Sequence, residues 1–156
     1  MDAKKVISGN YGFVYDVDGH WLTNVTKVDA NIEIGMEEIK LAGTRWLGNK
    51  TTTLKGSGSL GGYMVTSEWI EKMAQVTDDE SSPFVTELVV KLEDPESFGA
   101  YRVRLKNVTF DNIPVVGFEV GSIVEQEFTF VFSGYEVLDK IRATTPTAPT
   151  TPTPTP

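Results

Sequence analysis

The sequence has no cysteine, so thiol catalysis, disulfide scaffolding and zinc–thiolate binding are excluded. It has a single histidine, His20. Any serine triad would have to be built around it, and nothing resembling a nucleophile elbow is present. Long apolar runs are missing too. No stretch approaches the roughly 20 apolar residues that span a bilayer. The opening MDAKKVISGNYG carries lysines but not the apolar core of a signal sequence. These absences predict a soluble, cytoplasmically made protein whose monomer does not insert into membranes.

Cations are scarce as well. The net charge is −8 and the pI is near 4.6, which argues against wrapping nucleic acid or reading its sequence, since phosphate binding needs an excess of cations. The run Gly56-Ser57-Gly58-Ser59-Leu60-Gly61-Gly62 lacks the lysine of a phosphate-binding loop. The expectation is no enzymatic activity, no cofactor and no metal. Asp16, Asp18 and His20 alternate, but no bidentate acid follows in the register of a calcium loop. Their Asp18-Gly19 step reads instead as a hairpin turn between Gly12–Asp16 and Trp21–Thr23.

The shortage of positive charge is uneven. Lys40, Arg45, Lys50 and Lys55 recur every five residues, and no carboxylate occurs from Ile39 to Ser67. The remainder holds all 22 acidic residues and only 10 of the 14 cations. The segment 40–62 also carries six glycines. It reads as a flexible, extended arm that orders on contact, reaching roughly 35 Å as a folded-back hairpin. A cationic arm on an acidic body predicts attachment to another copy of the same chain, with Trp46 and Leu47 as the apolar anchor. Head-to-tail contacts of that kind close into rings or run on as filaments.

Around the arm the pattern is mainly β. Val28, Ala30, Ile32, Ile34 and Met36 alternate with Asp29, Asn31, Glu33 and Glu37, and a phase break at Glu37-Glu38 suggests a bulge. The arm is expected to return through Leu60–Thr66. One helix is predicted over 67–76, with Thr66 or Ser67 as cap and a stripe of Trp69, Ile70, Met73, Ala74 and Val76. Strands follow at 84–92 and 101–110, expected to pair with Glu87 and Lys91 against Arg102, Arg104 and Lys106. The last strand, 124–137, turns Phe128, Phe130 and Phe132 inward. The fold class is therefore mainly β: an antiparallel sandwich or barrel with one helix and a long hairpin arm. Residues 1–142 form its one domain. Residues 143–156 hold five of the eight prolines and form an extended Thr/Pro-rich tail.

Several of these residues together resemble tail tube proteins of contractile-tailed bacteriophages and related phage-like particles. The resemblance runs through Ile7-Ser8-Gly9, Asp18-Gly19, Ala30-Asn31, Gly43, Arg45, Gly48, Lys50-Thr51-Thr52, Gly56, Gly58 and Val65-Thr66-Ser67. It covers Val6 to Ile141; the Thr-Pro tail lies outside it. It implies a structural subunit that forms six-fold rings, stacked into a hollow conduit for DNA or effectors. It also implies a sheath, tape measure, baseplate and tail terminator as partners, assembly in the host bacterial cytoplasm, and residence in a virion tail or phage-like particle. On that footing Lys40, Arg45, Trp46, Leu47, Lys50 and Lys55 are the expected contacts between subunits or rings. The polar set Asp29, Asn31, Glu33, Glu125 and Glu127 is the candidate lumen lining, because like charge keeps a duplex from sticking to the wall. The competing expectation is a secreted carbohydrate-binding module, which a β-sandwich, three tryptophans and a Thr-Pro linker would also suit.

Overall fold

The computed structural model describes residues 2–65, 67–73 and 84–142. Seven strands make one antiparallel sheet: β1 (Gly12–Tyr15), β2 (Val25–Lys40), β3 (Leu47–Tyr63), β4 (Val85–Glu93), β5 (Ala100–Phe110), β6 (Glu125–Phe132) and β7 (Gly134–Asp139). Their order is β1-β4-β5-β6-β3-β2, and β7 pairs with β5 beside β6. The sheet does not close, so β1 and β2 are its two edges. It curls all the same. A groove of about 460 Å³ is lined by Val28 and Ile32 of β2 together with Val90, Val103 and Tyr135, which stand on strands not bonded to β2.

The core lies on the concave side. Leu88 and Val108 are fully enclosed, joined by Val14, Leu60, Leu105 and the β6 phenylalanines. Phe128, Phe130 and Phe132 all turn inward, as their alternation predicts. The helix α1 (Glu68–Met73) places Met73 in this core, with Ile70 packed against it. Ser67 precedes it and donates from its hydroxyl to the Glu71 carboxylate at 3.2 Å. The predicted extension to residue 76, with Ala74 and Val76, and the tail 143–156 lie outside the described residues.

Four expectations need correction. The segment 40–62 is not a loose arm. Only residues 41–46 form a loop, and Leu47–Tyr63 is a continuous strand paired along its whole length with β2. Two of the glycines that suggest flexibility, Gly56 and Gly58, are there for packing: a Cβ at Gly56 would sit 2.6 Å from the Phe132 ring, and one at Gly58 would be 2.7 Å from the Phe130 ring. Second, beyond a shift between Val25 and Lys27 at its base, the irregularity in the hairpin falls between Gly35 and Met36, where Thr52 on β3 is the unpaired residue. It does not lie at Glu37-Glu38. With no extra residue in β2 between Glu33 and Ile39, Ile39 stays on the face of Glu33 and Glu37. Third, 124–137 is two strands. The break at Ser133 is matched by Asn107 on β5, the only non-glycine with positive φ (53°) among the described residues. Its side-chain amide donates to Ser133 Oγ at 2.9 Å. Asparagine tolerates this backbone conformation, so β5 can leave β7 and take up β6 at Thr109 and Phe110.

The fourth correction concerns charge. Lys91 lies opposite Arg102, and Arg104 opposite Val89, so the expected pairing across β4 and β5 is made only in part, by Glu87 with Arg104. The main partners come from β7 instead. Asp139 lies 3.1 Å from Arg102 and Glu136 lies 3.5 Å from Lys106, while Glu87 reaches Arg104 only at 3.9 Å.

Candidate assembly surfaces

The hairpin β2–β3 outruns the sheet. β6 covers β3 only from Gly56 to Tyr63. Beyond Gly56, the two strands continue as a bare two-stranded ribbon from Glu33–Lys55 out to Lys40–Leu47. Residues directly opposite on antiparallel strands share a face, so the register sorts every candidate residue. One face of the ribbon pairs Ile34 with Leu54, Met36 with Thr51 and Lys40 with Leu47. It continues the core face of the sheet, but nothing among the described residues covers it: Met36 is 61% exposed and Leu54 70%. Ile34 and Leu47 are exposed as well.

The opposite face carries the paired charges, while Glu38, opposite Asn49, and Lys40 remain on the first. Lys55 stands across from Glu33 and Lys50 across from Glu37. Two of the four arm cations therefore have a carboxylate opposite them within the chain. Counted as a hairpin, 25–63 holds five cations and four acids, so its net charge is small. A segment that is cationic along the sequence becomes nearly balanced once β2 lies beside it. Lys40 has Leu47 opposite, and Arg45 sits with the exposed Trp46 in the connecting loop, where the Trp46 amide donates to Thr44 Oγ1 at 3.2 Å.

The five candidate lumen residues fall on one face. Asp29 lies opposite Ser59, which lies opposite Thr129; Asn31 lies opposite Ser57 and then Val131. Glu127 and Glu125 follow on β6 opposite Gly61 and Tyr63. This is the convex side of β2-β3-β6, back to back with Phe128, Phe130 and Phe132. Lys27, opposite Gly61, and Lys55 share it, so as far as Glu33 the face carries four carboxylates against two lysines, with the Glu37–Lys50 pair further out. Asp29 anchors its centre. One carboxylate oxygen accepts from the Ser59 hydroxyl at 2.8 Å and from the Ser59 amide at 2.7 Å. Those two bonds, the hydroxyl first, hold the Asp29 carboxyl below its ordinary range.

Asp16, Asp18 and His20 do come together, with ligand-type atoms within 4.8 Å of one another. The turn accounts for them. One Asp16 oxygen accepts from the Asp18 and His20 amides at 3.0 and 2.8 Å, and Gly19 takes the positive φ the turn requires. The tryptophans stand on separate parts of the fold. Trp21 packs edge-on against Phe13, Trp46 is at the hairpin tip and Trp69 lies on α1.

Sequence reasoning left out two sets of exposed apolar residues. Ile34, Met36 and Leu54 were legible as one face of a strand but not as uncovered. The β5–β6 connection holds Val115, Val116, Phe118, Val120 and Ile123, all more than 70% exposed. Its signal was an apolar run without periodicity, placed in a loop.

A family model described as phage tail tube protein matches residues 1–139. The protein is 32% identical over 146 residues to the uncharacterized protein YqbM of Bacillus subtilis (strain 168), covering 92% of this chain and 98% of that one. It is 30% identical over 145 residues to the phage-like element PBSX protein XkdM of the same organism, with the same two coverages. Among solved structures, the sheath/tube terminator of an extracellular contractile injection system superposes with a TM-score of 0.71 at 10% identity, covering 88% of this chain and all of that one. The extended sheath–tube complex of such a system gives a TM-score of 0.68 at 11% identity, covering 86% and 93%. The match along nearly the whole described chain, joined to an open antiparallel sheet with a protruding hairpin, shows that the protein belongs to the phage tail tube protein family.

Proposed function

We propose that this tail tube subunit, a structural protein and not an enzyme, closes into six-fold rings that stack into a hollow conduit for DNA or effectors. The observation that carries the reading is the two-faced hairpin. Its apolar face has no partner within the described residues, while its other face continues the polar side of β2-β3-β6. A neighbouring copy covers the apolar face, and the polar face is turned toward the bore. The free edge of β2 takes hydrogen bonds from that neighbour, which removes the exposed edge. Lys40, Arg45, Trp46, Leu47, Lys50 and Lys55 lie at the contacts between copies, and Asp29, Asn31, Glu33, Glu125 and Glu127 line the lumen. Sheath, tape measure, baseplate and tail terminator proteins are the partners of such a tube, and assembly takes place in the host cytoplasm.

Electron microscopy of the purified chain tests this. Hollow tubes are expected, and a map of them should place Asp29 and Glu127 on the inner wall. Solid fibres, or a map with these carboxylates outside, would overturn the reading.

A further inference from the structure

The sequence holds two single-sign segments. One is 39–67, without a carboxylate; the other is 107–133, without a lysine or arginine. Each projects a cluster of exposed apolar side chains. On the first, Trp46 is 82% exposed at the hairpin tip, with Leu47 beside it. On the second, Val116, Phe118 and Val120 are 85%, 80% and 92% exposed in the connection between β5 and β6. Exposed apolar patches of this kind on a soluble subunit mark contact sites.

From this pairing we infer that the β5–β6 connection is the receptor for the hairpin tip of a second copy. Trp46 and Leu47 pack on Phe118 and its neighbouring valines, and Arg45 meets the Glu119 carboxylate. Charge sign argues for the second copy as occupant. Lys50 and Lys55 have Glu37 and Glu33 opposite them, but Arg45 lies in the connecting loop, outside the β2–β3 pairing register, and Lys40 faces Leu47. Glu38, opposite Asn49, lies two residues from Lys40 on the same face, so the cation left without a carboxylate beside it is Arg45, at the tip where the large apolar exposure is. Glu119 is likewise flanked only by apolar and small residues from Ile113 to Val124. Burial of the aromatic and aliphatic groups supplies the affinity, and the charge pair fixes which way the tip is seated. This assignment rests on the tube reading above, which requires contact between copies but does not say what receives the hairpin.

The absence of cysteine makes the test direct. Two single-cysteine variants, Trp46→Cys and Phe118→Cys, one of them affinity-tagged, are mixed as monomers, allowed to assemble and mildly oxidised. A mixed disulfide joining the tagged and untagged chains is expected. A further pair of variants reads the charge: Arg45→Glu should raise the critical concentration for assembly about fivefold, and adding Glu119→Arg should restore it. Tubes that form from the two cysteine variants yet yield no mixed disulfide would overturn this contact and leave the tube reading standing. If the unsubstituted chain forms no tubes and the variants no cross-link, the tube reading fails and the contact with it.

Discussion

Single residues in β3 show how the chain chooses between packing and freedom. Gly58 lies beneath the Phe130 ring and against the Asp29 carbonyl, whereas a Cβ at Gly61 would meet nothing nearer than 3.7 Å. Gly58→Val should therefore cost about 3 kcal/mol, seen as a melting temperature lower by roughly 6–12 °C. Gly61→Ala should leave it almost unchanged, and equal effects at the two sites would refute the packing account. Asp29 makes a prediction of a different kind. Its carboxyl is held below its ordinary value of 3.8 by Ser59. A depressed value in the folded state means the stabilisation is complete above pH 3.8 and is lost as pH falls through the folded-state value. The side chain is exposed, so the gain is below about 1 kcal/mol. Asp29→Ala should be less stable than the parent near neutrality, with the gap closing in acid. Urea titrations at several pH values would show it, and a pH-independent gap would contradict the assignment.

At the scale of elements, alternation told most of the story. The inward phenylalanines of β6, the outward arginines of β5 and the long strand β2 were all legible, because each reports a local period of two. The second half of the hairpin was legible as an arm but not as one continuous strand. Its glycines answer to rings on a strand far along the chain, Gly56 to Phe132 and Gly58 to Phe130, and no local pattern carries that information. The charge pairing was legible only in part, as Glu87 with Arg104, for the same reason: Asp139 and Glu136 reach the β5 cations because Ser133 and Asn107 turn β7 onto β5. Of the proposed assembly surfaces, the candidate lumen set was legible as the polar faces of two separate strands, yet the lysines beside it were not. The uncovered ribbon face yields an element-scale prediction. Met36→Glu with Leu54→Glu changes side chains already in water, so the monomer should melt within a few degrees of the parent. Assembly should suffer far more. Losing two apolar contacts of about 1.5–3 kcal/mol each raises the critical concentration at least about a hundredfold. Sedimentation velocity at graded concentrations separates the two effects, and unimpaired tubes would show that this face stays in solvent.

For the whole molecule, the sheet separates two tasks that would otherwise conflict. A wall must adhere to its own copies and must not adhere to what passes through it. In the proposed tube the ribbon's apolar face serves adhesion through burial, which salt barely touches. The convex side of β2-β3-β6 carries four carboxylates, two lysines and the short hydroxyls of Ser57, Ser59 and Thr129. A duplex carries one charge per about 1.7 Å of axis, so the sign of that wall decides whether cargo slides or binds. Changing Glu125 and Glu127 to lysine leaves the buried phenylalanines between them and the core untouched, because the two side chains point the other way. Tubes should still form. Their lining becomes net cationic, with four lysines against two acids in each copy, repeated around every ring. Such tubes should retain short duplex DNA in co-sedimentation at low salt and release it as salt rises, whereas parent tubes retain none. If the substituted tubes ignore DNA while assembling normally, the convex face is not the bore. The same sheet would then have to be placed in the wall with its polar side outward.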